Sequence, residues 1–405
     1  MLVKTVMAVA VASAIAPCAV SAAPAEKIQV AAYYFGNYHR DRRNEAFHGK
    51  GWDEWKLVKE AKPRFEGHYQ PRVPLWGYGD EADPKVMATK IDAAAKYGVD
   101  AFIFDWYYYE DGPFLERSLD EGFLRAPNNG KVKFALMWAN HNWTDIHPRR
   151  KDVRSPPTLY PGKVSPERFE EICDLVIARY MRHPSYWKVG GKPYFSIYEL
   201  ARFVANFGSL EATKAAMGRF RAKAVAAGLP DVHLNVIYSG RQVLPGEAAS
   251  NDMFGPIAQL GFDSVTSYVW VHHVPLKGLT MDYERMAQDY FARWTKLEER
   301  LSVPYFPNVS VGWDSSPRAD QRDDYGEFGY PFCTVVVGNP PAKFRAALET
   351  AKRRIDADPS APRILTVNSW NEWTEGSYLE PDGKYGYGYL EAIRDVFGTA
   401  DAAKR

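Results

Sequence analysis

The chain reads Ile364-Leu365-Thr366-Val367 and, after Asn368, Ser369-Trp370-Asn371-Glu372-Trp373-Thr374-Glu375-Gly376. The first stretch is apolar and rich in β-branched residues, which is typical of a buried β-strand. The second stretch places two carboxylic acids three residues apart, among an amide and two indoles. A polar cluster directly after a buried strand is typical of the carboxyl end of a parallel barrel strand, where functional side chains collect.

Seven stretches upstream share the apolar, β-rich character of this strand. Their apolar character is nearly continuous rather than alternating, which favours parallel strands covered on both faces. The eight predicted strands are 28–35, 99–106, 132–138, 193–198, 232–238, 264–270, 305–313 and 364–370. Helical patterns separate most of them, at 83–97, 165–182, 210–227, 280–301 and 341–357, and the pattern at 385–396 suits the eighth helix that closes the ring.

This alternation of strands and helices predicts a (β/α)8 TIM barrel, an α/β fold that forms a single domain. A doubly wound open sheet is the alternative, but no Gly-rich phosphate-binding turn follows the first strand. That strand is followed instead by a long aromatic segment, 36–80. Because connections of this length are usually functional, we expect the segment to lie over the mouth of the barrel.

The charge of the chain is nearly balanced, with 51 Lys and Arg against 50 Asp and Glu. This balance gives no electrostatic reason to expect a nucleic acid or an anionic membrane as a partner. Aromatic residues are abundant, with 12 Trp and 25 Tyr, and many of them lie at predicted strand ends. The oligomeric state is not indicated by any pattern in the chain.

The N-terminus has the features of a signal peptide. Lys4 precedes an apolar stretch, 6–16, and Val20-Ser21-Ala22 provides small residues for cleavage. We expect a signal peptide at 1–22, a catalytic domain at 23–405, and a periplasmic or secreted location. A lipid anchor at Cys18 is the weaker alternative, and the apolar stretch is too short to span a bilayer.

Two cysteines, Cys173 and Cys333, lie beyond the predicted signal peptide. Their apolar surroundings favour buried thiols, and a single disulfide is the alternative in an oxidising compartment. The spacing of Cys and His residues does not resemble a zinc site. The sequence predicts neither a metal nor a cofactor.

The predicted strand ends repeat one pairing, an aromatic side chain beside a polar group. Aliphatic layers are expected from a barrel core alone, so the repeated pairing favours a carbohydrate-binding cleft, with aromatic faces against the apolar face of a sugar ring. Rim packing is the alternative for any single aromatic residue. The candidate substrate-binding residues at the strand ends are Tyr33, Tyr34, Asp105, Trp106, Tyr107, Trp138, Asn140, Glu199, Tyr238, Tyr268, Trp270, Trp313, Asp314, Asn371 and Trp373.

Glu372 and Glu375 are the candidate catalytic residues. Pairing with an arginine is the alternative for a surface glutamate, but both residues follow a predicted buried strand, and two tryptophans flank Glu372. Desolvation by the indoles would raise the pKa of one carboxyl and keep it protonated as an acid, while its more solvated neighbour would act as a base. The spacing alone does not assign the two roles.

The stretch Asn371–Gly376 resembles the Asn-Glu-Trp-x-Glu-Gly signature of glycoside hydrolase family 99 and of its WbsX-type relatives. Stretches 51–55, 65–71, 138–144 and 378–382 resemble the WbsX-type branch, so the resemblance covers nearly the whole mature chain. Further candidate substrate contacts lie in these stretches or in a similar strand-seven segment. They are Glu54, Asn142, Trp143 and Arg318.

The resemblance implies a barrel enzyme that hydrolyses α-mannosidic linkages, often in an endo manner, with retention of configuration. It implies that Glu372 is a base toward the 2-hydroxyl of the sugar and that Glu375 is the general acid and base. The 2-hydroxyl oxygen then attacks C1 to give a 1,2-anhydro sugar, whereas the usual retaining scheme has a carboxylate nucleophile. The partner implied is an oligosaccharide or polysaccharide.

One departure concerns the substrate. Thr374 stands where family 99 commonly has histidine, which removes a titratable donor and puts mannose specificity in question. Two other functions are alternatives: a glycosyltransferase of surface-polysaccharide assembly and a non-catalytic carbohydrate-binding barrel. The export signal argues against the transferase because nucleotide sugars are cytoplasmic, and the intact glutamate pair argues against the binding barrel.

Overall fold

A computed structural model describes residues 26–239, 253–326, 332 and 334–398. Eight parallel strands in these residues form a barrel that helices surround, which confirms the predicted (β/α)8 fold. The predicted signal peptide, Cys18 and Cys333 lie outside the described residues. The barrel strands, β1 to β8, are Gln29–Tyr34, Ala101–Tyr109, Lys133–Trp138, Lys192–Ile197, His233–Ile237, Ser264–Thr266, the split strand Tyr305–Phe306 with Asn308–Ser310, and Ile364–Asn368.

The barrel closes through β7, which is split at Pro307. Tyr305–Phe306 pairs with β6, and Asn308–Ser310 pairs with β8, so the two halves of one strand complete the ring. Proline has no amide hydrogen to donate to a neighbouring strand, but the Pro307 carbonyl accepts a hydrogen bond from the backbone of Thr366 at 2.8 Å. The interruption therefore shortens the predicted strand without opening the barrel.

The helices follow the predicted pattern closely where capping signals are strong. The side chain of Asp83 accepts a hydrogen bond from the Lys85 amide, Pro84 occupies the first turn, and Gly98 ends the helix in a left-handed conformation with φ 88°. The helices α1 to α10 are Arg42–His48, Trp55–Glu60, Pro84–Tyr97, Pro166–Leu175, Leu200–Phe207, Leu210–Ala226, Phe254–Leu260, Tyr283–Glu298, Pro341–Ala357 and Gly388–Phe397.

Three segments differ from the sequence-based expectation. The predicted helix 165–182 continues from α4 as a π-helix, Val176–Met181. The predicted helix 280–301 begins as a short strand, Thr280–Asp282, which pairs with Val335–Val337 before α8 starts. The segment 36–80 contains α1 and α2, so it is a folded excursion rather than a plain loop.

Two further features bear on the sequence predictions. Cys173 is buried in the hydrophobic core as a free thiol, and burial raises its pKa well above the usual range. Among the described helices, none is long and apolar enough to cross a membrane.

Candidate active site

The carboxyl end of β8 leads into a tight hairpin that presents the two candidate glutamates. Asn371–Glu372 pairs antiparallel with Ser377–Tyr378 around the helical turn Trp373–Glu375. Gly376 follows this turn with φ 63°, and a Cβ atom there would lie 2.6 Å from the Cβ atom of Asp314. Only glycine meets both demands, so the final residue of the signature makes the turn possible.

Arg318 joins three carboxyl groups at this end of the barrel. It lies in the helical turn Ser316–Arg318 after β7. Its Nη2 atom donates to Glu372 Oε2 at 3.1 Å, its Nη1 atom donates to Glu375 Oε1, and its Nε atom donates to Glu54 Oε1 at 3.0 Å. The guanidinium also lies 5.2 Å from the centre of the Phe35 ring. One cation therefore fixes the relative positions of the two candidate catalytic groups.

Glu54 lies behind Arg318 and is fully buried. It accepts hydrogen bonds from the Thr374 hydroxyl and from the Asn37 amide, both at 2.5 Å. Burial by itself would raise the pKa of Glu54, but Arg318 and the Thr374 hydrogen bond outweigh it and hold that pKa below its usual value. Glu54 is thus an ionised support for Arg318, and the sugar contact expected from the sequence stays a prediction.

Tyr268 connects a fourth carboxyl group to the pair. Its hydroxyl lies 2.8 Å from Asp105 Oδ2 and 3.1 Å from Glu372 Oε1. Asp105 Oδ1 and Glu375 Oε2 are buried oxygens with no hydrogen-bond partner in the described part of the chain. These two oxygens are therefore unsatisfied acceptors within the carboxyl cluster.

The carboxyl pKa values of this cluster are displaced upward. Burial and the negative charge of Glu375 raise the pKa of Glu372 well above its usual range, against the opposing effect of Arg318. Burial also raises the pKa of Glu375, and Glu54 adds to this against Arg318. Burial raises the pKa of Asp105 well above its usual range as well. Carboxyl groups with raised pKa values keep their protons to higher pH than free carboxyl groups and can take part in proton transfer.

These groups line a cleft of about 180 Å³ that opens to solvent. Eight residues predicted from sequence meet there. They are Asp105, Tyr107, Asn142, Trp143, Tyr268, Arg318, Glu372 and Glu375.

The remaining predicted residues, Glu54 apart, do not line this cleft, and their contact with a sugar stays a prediction. They are Tyr33, Tyr34, Trp106, Trp138, Asn140, Glu199, Tyr238, Trp270, Trp313, Asp314, Asn371 and Trp373.

The alternation of side chains along a strand explains why aromatic residues predicted at strand ends do not all line the cleft. Successive side chains of a strand point to opposite faces. Asp105 and Tyr107 line the cleft, while Trp106 between them stacks on Tyr108 at 5.2 Å and meets Tyr180 edge-on at 6.3 Å. A position at a strand end therefore did not by itself decide which face a side chain occupies.

Other predicted aromatic residues pack within the protein in the same way. Trp138 lies against Phe169 with ring centres 5.9 Å apart, and Trp270 lies 5.1 Å from Tyr290. The ring of Tyr33 lies 4.7 Å from that of Tyr268, the ring of Tyr34 lies 5.5 Å from the Lys90 ammonium, and the ring of Tyr238 lies 5.9 Å from that of His273.

Several predicted polar residues hold the backbone around the cleft. Asn371 accepts from the amide of Phe35 at 2.8 Å and donates to its carbonyl at 2.7 Å. Asn140 makes the corresponding pair of hydrogen bonds with the backbone of Glu199, at 2.8 and 3.0 Å. Their amides join neighbouring strand ends, so they shape the site without facing it.

Two predicted tryptophans also have internal partners. The Trp373 indole donates to Glu380 at 2.7 Å and stacks on Tyr378 with ring centres 3.8 Å apart. Trp313 is buried, and its carbonyl accepts from the amide of Val336 at 2.7 Å. Trp373 packs beneath the hairpin, where it supports the two glutamates.

Asp314 anchors the excursion 36–80 to the loop after β7. It accepts hydrogen bonds from Gln70 at 2.7 Å and Arg72 at 3.1 Å, and it lies 2.9 Å from His68 Nε2. Burial alone would raise the pKa of Asp314, but these partners outweigh it and hold the pKa well below its usual range. The ionised carboxylate therefore ties two distant segments together four residues before Arg318.

Sequence reasoning missed several residues of the cleft. Phe35, His141, His147 and Tyr198 line it. His147 stacks on Trp143 with ring centres 5.0 Å apart, and burial lowers its pKa to about 3 even though Glu54 opposes this, so its imidazole is neutral. The aromatic stretch 138–144 pointed to this region, but no pattern distinguishes His147 from a histidine of a solvated loop.

Within the described ranges, no group of three or more His, Cys, Asp or Glu side chains has an arrangement that could hold a metal ion. Arg318 occupies the centre of the carboxyl cluster. The carboxyl groups around Arg318 can transfer protons and accept hydrogen bonds.

A model of the family described as Glycosyltransferase WbsX matches residues 30–393. The chain belongs to the WbsX family. This membership confirms the resemblance identified from the sequence. Two curated relatives, one from each of two strains of Xanthomonas campestris pv. campestris, are described as uncharacterized protein WxcX. Each is 29% identical to this chain over 387 residues. The match covers 91% of this chain and 49% of each relative, so the chain spans about half their length.

Solved structures with the same barrel belong to glycoside hydrolases and related proteins. The GH99 endo-α-mannosidase of Bacteroides thetaiotaomicron has a TM-score of 0.53 at 15% identity, covering 93% of this chain and 98% of that one. A glycoside hydrolase-like protein has a TM-score of 0.58 at 16% identity, covering 94% and 98% of the two chains. At these identities the likeness establishes the fold.

Proposed function

We propose that this WbsX family member is a retaining glycoside hydrolase that cleaves glycosidic bonds in a polysaccharide or glycan. The observation that carries the proposal is the binding of Glu372 and Glu375 to one guanidinium at the wall of the cleft. The pKa values of both carboxyl groups are raised. Glycosidic bond cleavage requires such a pair of carboxyl groups, one to donate a proton and one to accept one.

The pair is suited to hold one proton between two sites. Two buried carboxyl groups near one cation interact strongly, so ionisation of one raises the pKa of the other, and the apparent pKa values belong to the pair. Arg318 contacts both groups and stabilises whichever of them is ionised. The resting site can therefore hold one acid and one base at neutral pH.

In the proposed reaction, Glu372 accepts the proton of the sugar 2-hydroxyl while Glu375 donates its proton to the departing glycosidic oxygen. The 2-hydroxyl oxygen forms a bond to C1 as the bond from C1 to the leaving oxygen breaks, which gives a 1,2-anhydro sugar. Water then attacks C1 and loses its proton to Glu375, and the 2-oxygen regains its proton from Glu372. Two inversions at C1 retain the configuration.

The cleft lining supports a carbohydrate ligand. The aromatic side chains of Phe35, Tyr107, Trp143 and Tyr198 lie on its walls, and Asn142 offers polar atoms beside them. Aromatic faces pack on the apolar face of a sugar ring while the polar groups bind hydroxyls. The fold shared with an endo-α-mannosidase makes α-mannosides the first substrates to test, with endo action.

A transferase is the second candidate because the family model is described as a glycosyltransferase. The same chemistry would transfer the sugar if a hydroxyl group of an acceptor replaced water in the second step. Nucleotide-sugar consumption in the presence of a glycan acceptor, without release of reducing sugar, would favour this candidate. Export through the predicted signal peptide would oppose it, and fractionation of cells that produce the full chain tests that prediction.

The deciding experiment is a panel of purified glycans, treated with the wild-type protein and with the Glu375→Gln variant. Product size distinguishes endo from exo action, and NMR of the first product reports the anomeric configuration. We expect retained configuration with wild type and a loss of at least about 10²-fold in kcat for the variant. Inverted product, or undiminished hydrolysis by the variant, would refute the proposed roles.

A further inference from the structure

The Tyr268 hydroxyl lies between two carboxyl groups but has a single proton to donate. It is 2.8 Å from Asp105 Oδ2 and 3.1 Å from Glu372 Oε1. Two ionised carboxylates cannot both accept that one proton, and the group left without it would face the phenol oxygen lone pairs. Both contacts are hydrogen bonds only if one of the two carboxyl groups is protonated and donates to the phenol oxygen.

The surroundings distinguish the two carboxyl groups. Glu372 Oε2 accepts from the Arg318 guanidinium at 3.1 Å, so its ionised form has a cation in contact. Asp105 Oδ2 has Tyr268 as its hydrogen-bond partner, and Asp105 Oδ1 has no partner in the described part of the chain. Asp105 is 6% exposed. A buried carboxylate without a paired cation is strongly disfavoured relative to the neutral acid.

Burial and the carboxyl groups around Asp105 raise its pKa, whereas the Tyr268 hydrogen bond and Arg318 lower it. Tyr33 of β1, Tyr107 of its own strand, and Tyr268 after β6 are neutral phenols whose pKa values burial raises well above 10. Glu372 and Glu375 face it from the hairpin after β8 and disfavour another negative charge. Arg318 is the opposing cation, and it donates to three other carboxyl groups.

We propose that Asp105 is protonated in the substrate-free protein and donates to the Tyr268 oxygen, while Tyr268 donates to Glu372 and keeps it ionised. Asp105 is then a positioning residue that acts through Tyr268. Its proton stays in place when Glu372 accepts a proton from a sugar. The statement about proton transfer from a sugar rests on the proposed function, because only the glycosidase mechanism assigns the base role to Glu372.

Infrared difference spectroscopy tests the proton location without any substrate. A protonated carboxyl has a carbonyl stretch distinct from that of a carboxylate, and it is measured for wild type, Asp105→Asn, Glu372→Gln and Glu375→Gln at neutral pH. We expect Asp105→Asn to lose one protonated-carboxyl band and Glu372→Gln to keep it. Loss of the band in Glu372→Gln, with no loss in Asp105→Asn, would overturn the proposal. The Glu375→Gln spectrum reports separately on the acid of the proposed function.

Kinetics test the positioning role with a matched pair of variants. Asparagine can donate to the Tyr268 oxygen as protonated Asp105 does, whereas leucine of similar size cannot. We expect kcat of Asp105→Asn to exceed that of Asp105→Leu at least tenfold, with similar KM and similar melting temperatures. Equal kcat values, or a difference confined to KM, would contradict action through Tyr268 and indicate packing or direct contact with the sugar.

Discussion

Replacing Glu54 with glutamine tests how the buried support behind Arg318 controls the catalytic pair. The carboxylate of Glu54 accepts from Arg318 Nε, from the Thr374 hydroxyl and from the Asn37 amide. Glutamine offers one oxygen and one NH₂ group. If its oxygen serves Arg318 and Thr374, its NH₂ group faces the Asn37 NH₂ group, and Asn37 is held in place because its oxygen accepts from Asn44 at 2.7 Å.

Glu54→Gln therefore leaves one buried donor unpaired and removes the charge that faces Arg318. Loss of a buried hydrogen bond to a charged group costs about 1–3 kcal/mol, so we expect the free energy of unfolding to fall by this amount. Glu60 provides a matched control because it lies at the end of the same helix, α2, and is exposed. We expect Glu60→Gln to unfold like wild type.

The same substitution should move the pH-rate profile toward lower pH. Glu54 raises the pKa values of Glu372 and Glu375 by repulsion, and its removal also leaves Arg318 to stabilise the two remaining carboxylates. Two unit charges roughly 7 Å apart interact by about 2 kcal/mol at an effective dielectric constant of about 20, which exceeds one pKa unit. Solvent in the open cleft reduces this interaction energy, so we expect the acidic and alkaline limbs of the pH-rate profile to move by about one pH unit each.

The assay is kcat/KM against pH for wild type, Glu54→Gln and Glu60→Gln on the best substrate of the glycan panel. The acidic limb reports the base and the alkaline limb reports the acid of the free enzyme. A profile that stays in place, or that moves to higher pH, would refute the electrostatic reasoning. Unfolding of Glu54→Gln at the same denaturant concentration as Glu60→Gln would refute the hydrogen-bond reasoning.

Three further predictions concern the acid, the walls and the anchor of the site. Glu375→Gln should lower kcat by at least about 10²-fold while binding of the same glycan, measured by calorimetry, persists; loss of binding instead would assign Glu375 to substrate contact. Trp143→Ala should raise KM because Trp143 lines the cleft. Trp106→Ala should leave KM unchanged and lower the free energy of unfolding by about 3–5 kcal/mol, because Trp106 packs on the outer face of its strand. A raised KM for Trp106→Ala would contradict this placement. Asp314→Asn should lower the free energy of unfolding at neutral pH. Because the pKa of Asp314 is depressed in the folded state, its carboxylate stabilises the protein above the pKa of the unfolded state, and the difference in free energy of unfolding between wild type and variant should narrow as the pH falls below about 4. A difference that does not change with pH would show that Asp314 acts without its charge.

The predictions from sequence were accurate where the signal is local and periodic. The helix 341–357 has the predicted bounds, because Pro341 fixes its first turn and its apolar stripe repeats regularly. The strand predicted at 264–270 ends at Thr266. Beyond it the chain leaves the sheet, with Tyr268 lining the cleft and Trp270 packed in the protein beside it. Strand ends are set by tertiary contacts, which an apolar run does not encode.

The candidate site residues show the same contrast between local signals and tertiary contacts. Glu372 and Glu375 were identified because a short stretch carries both, whereas Trp106 was assigned to the sugar because it is aromatic and lies at a strand end. The structure places it on the opposite face from Asp105, one residue away. His147 carried no signal at all, and it enters the cleft because it stacks on Trp143.

The sequence by itself determined the barrel, the strand that carries the two glutamates, and the family to which the chain belongs, because each is written in continuous stretches of residues. Only the tertiary structure decided which groups the glutamates meet. Arg318 bonds to Glu54 from 264 residues away, and Tyr268 meets Asp105 from 163 residues away. The physical reason is that closure of a parallel barrel gathers the carboxyl ends of all its strands at one rim, where burial and shared protons then set the chemistry of each carboxyl group.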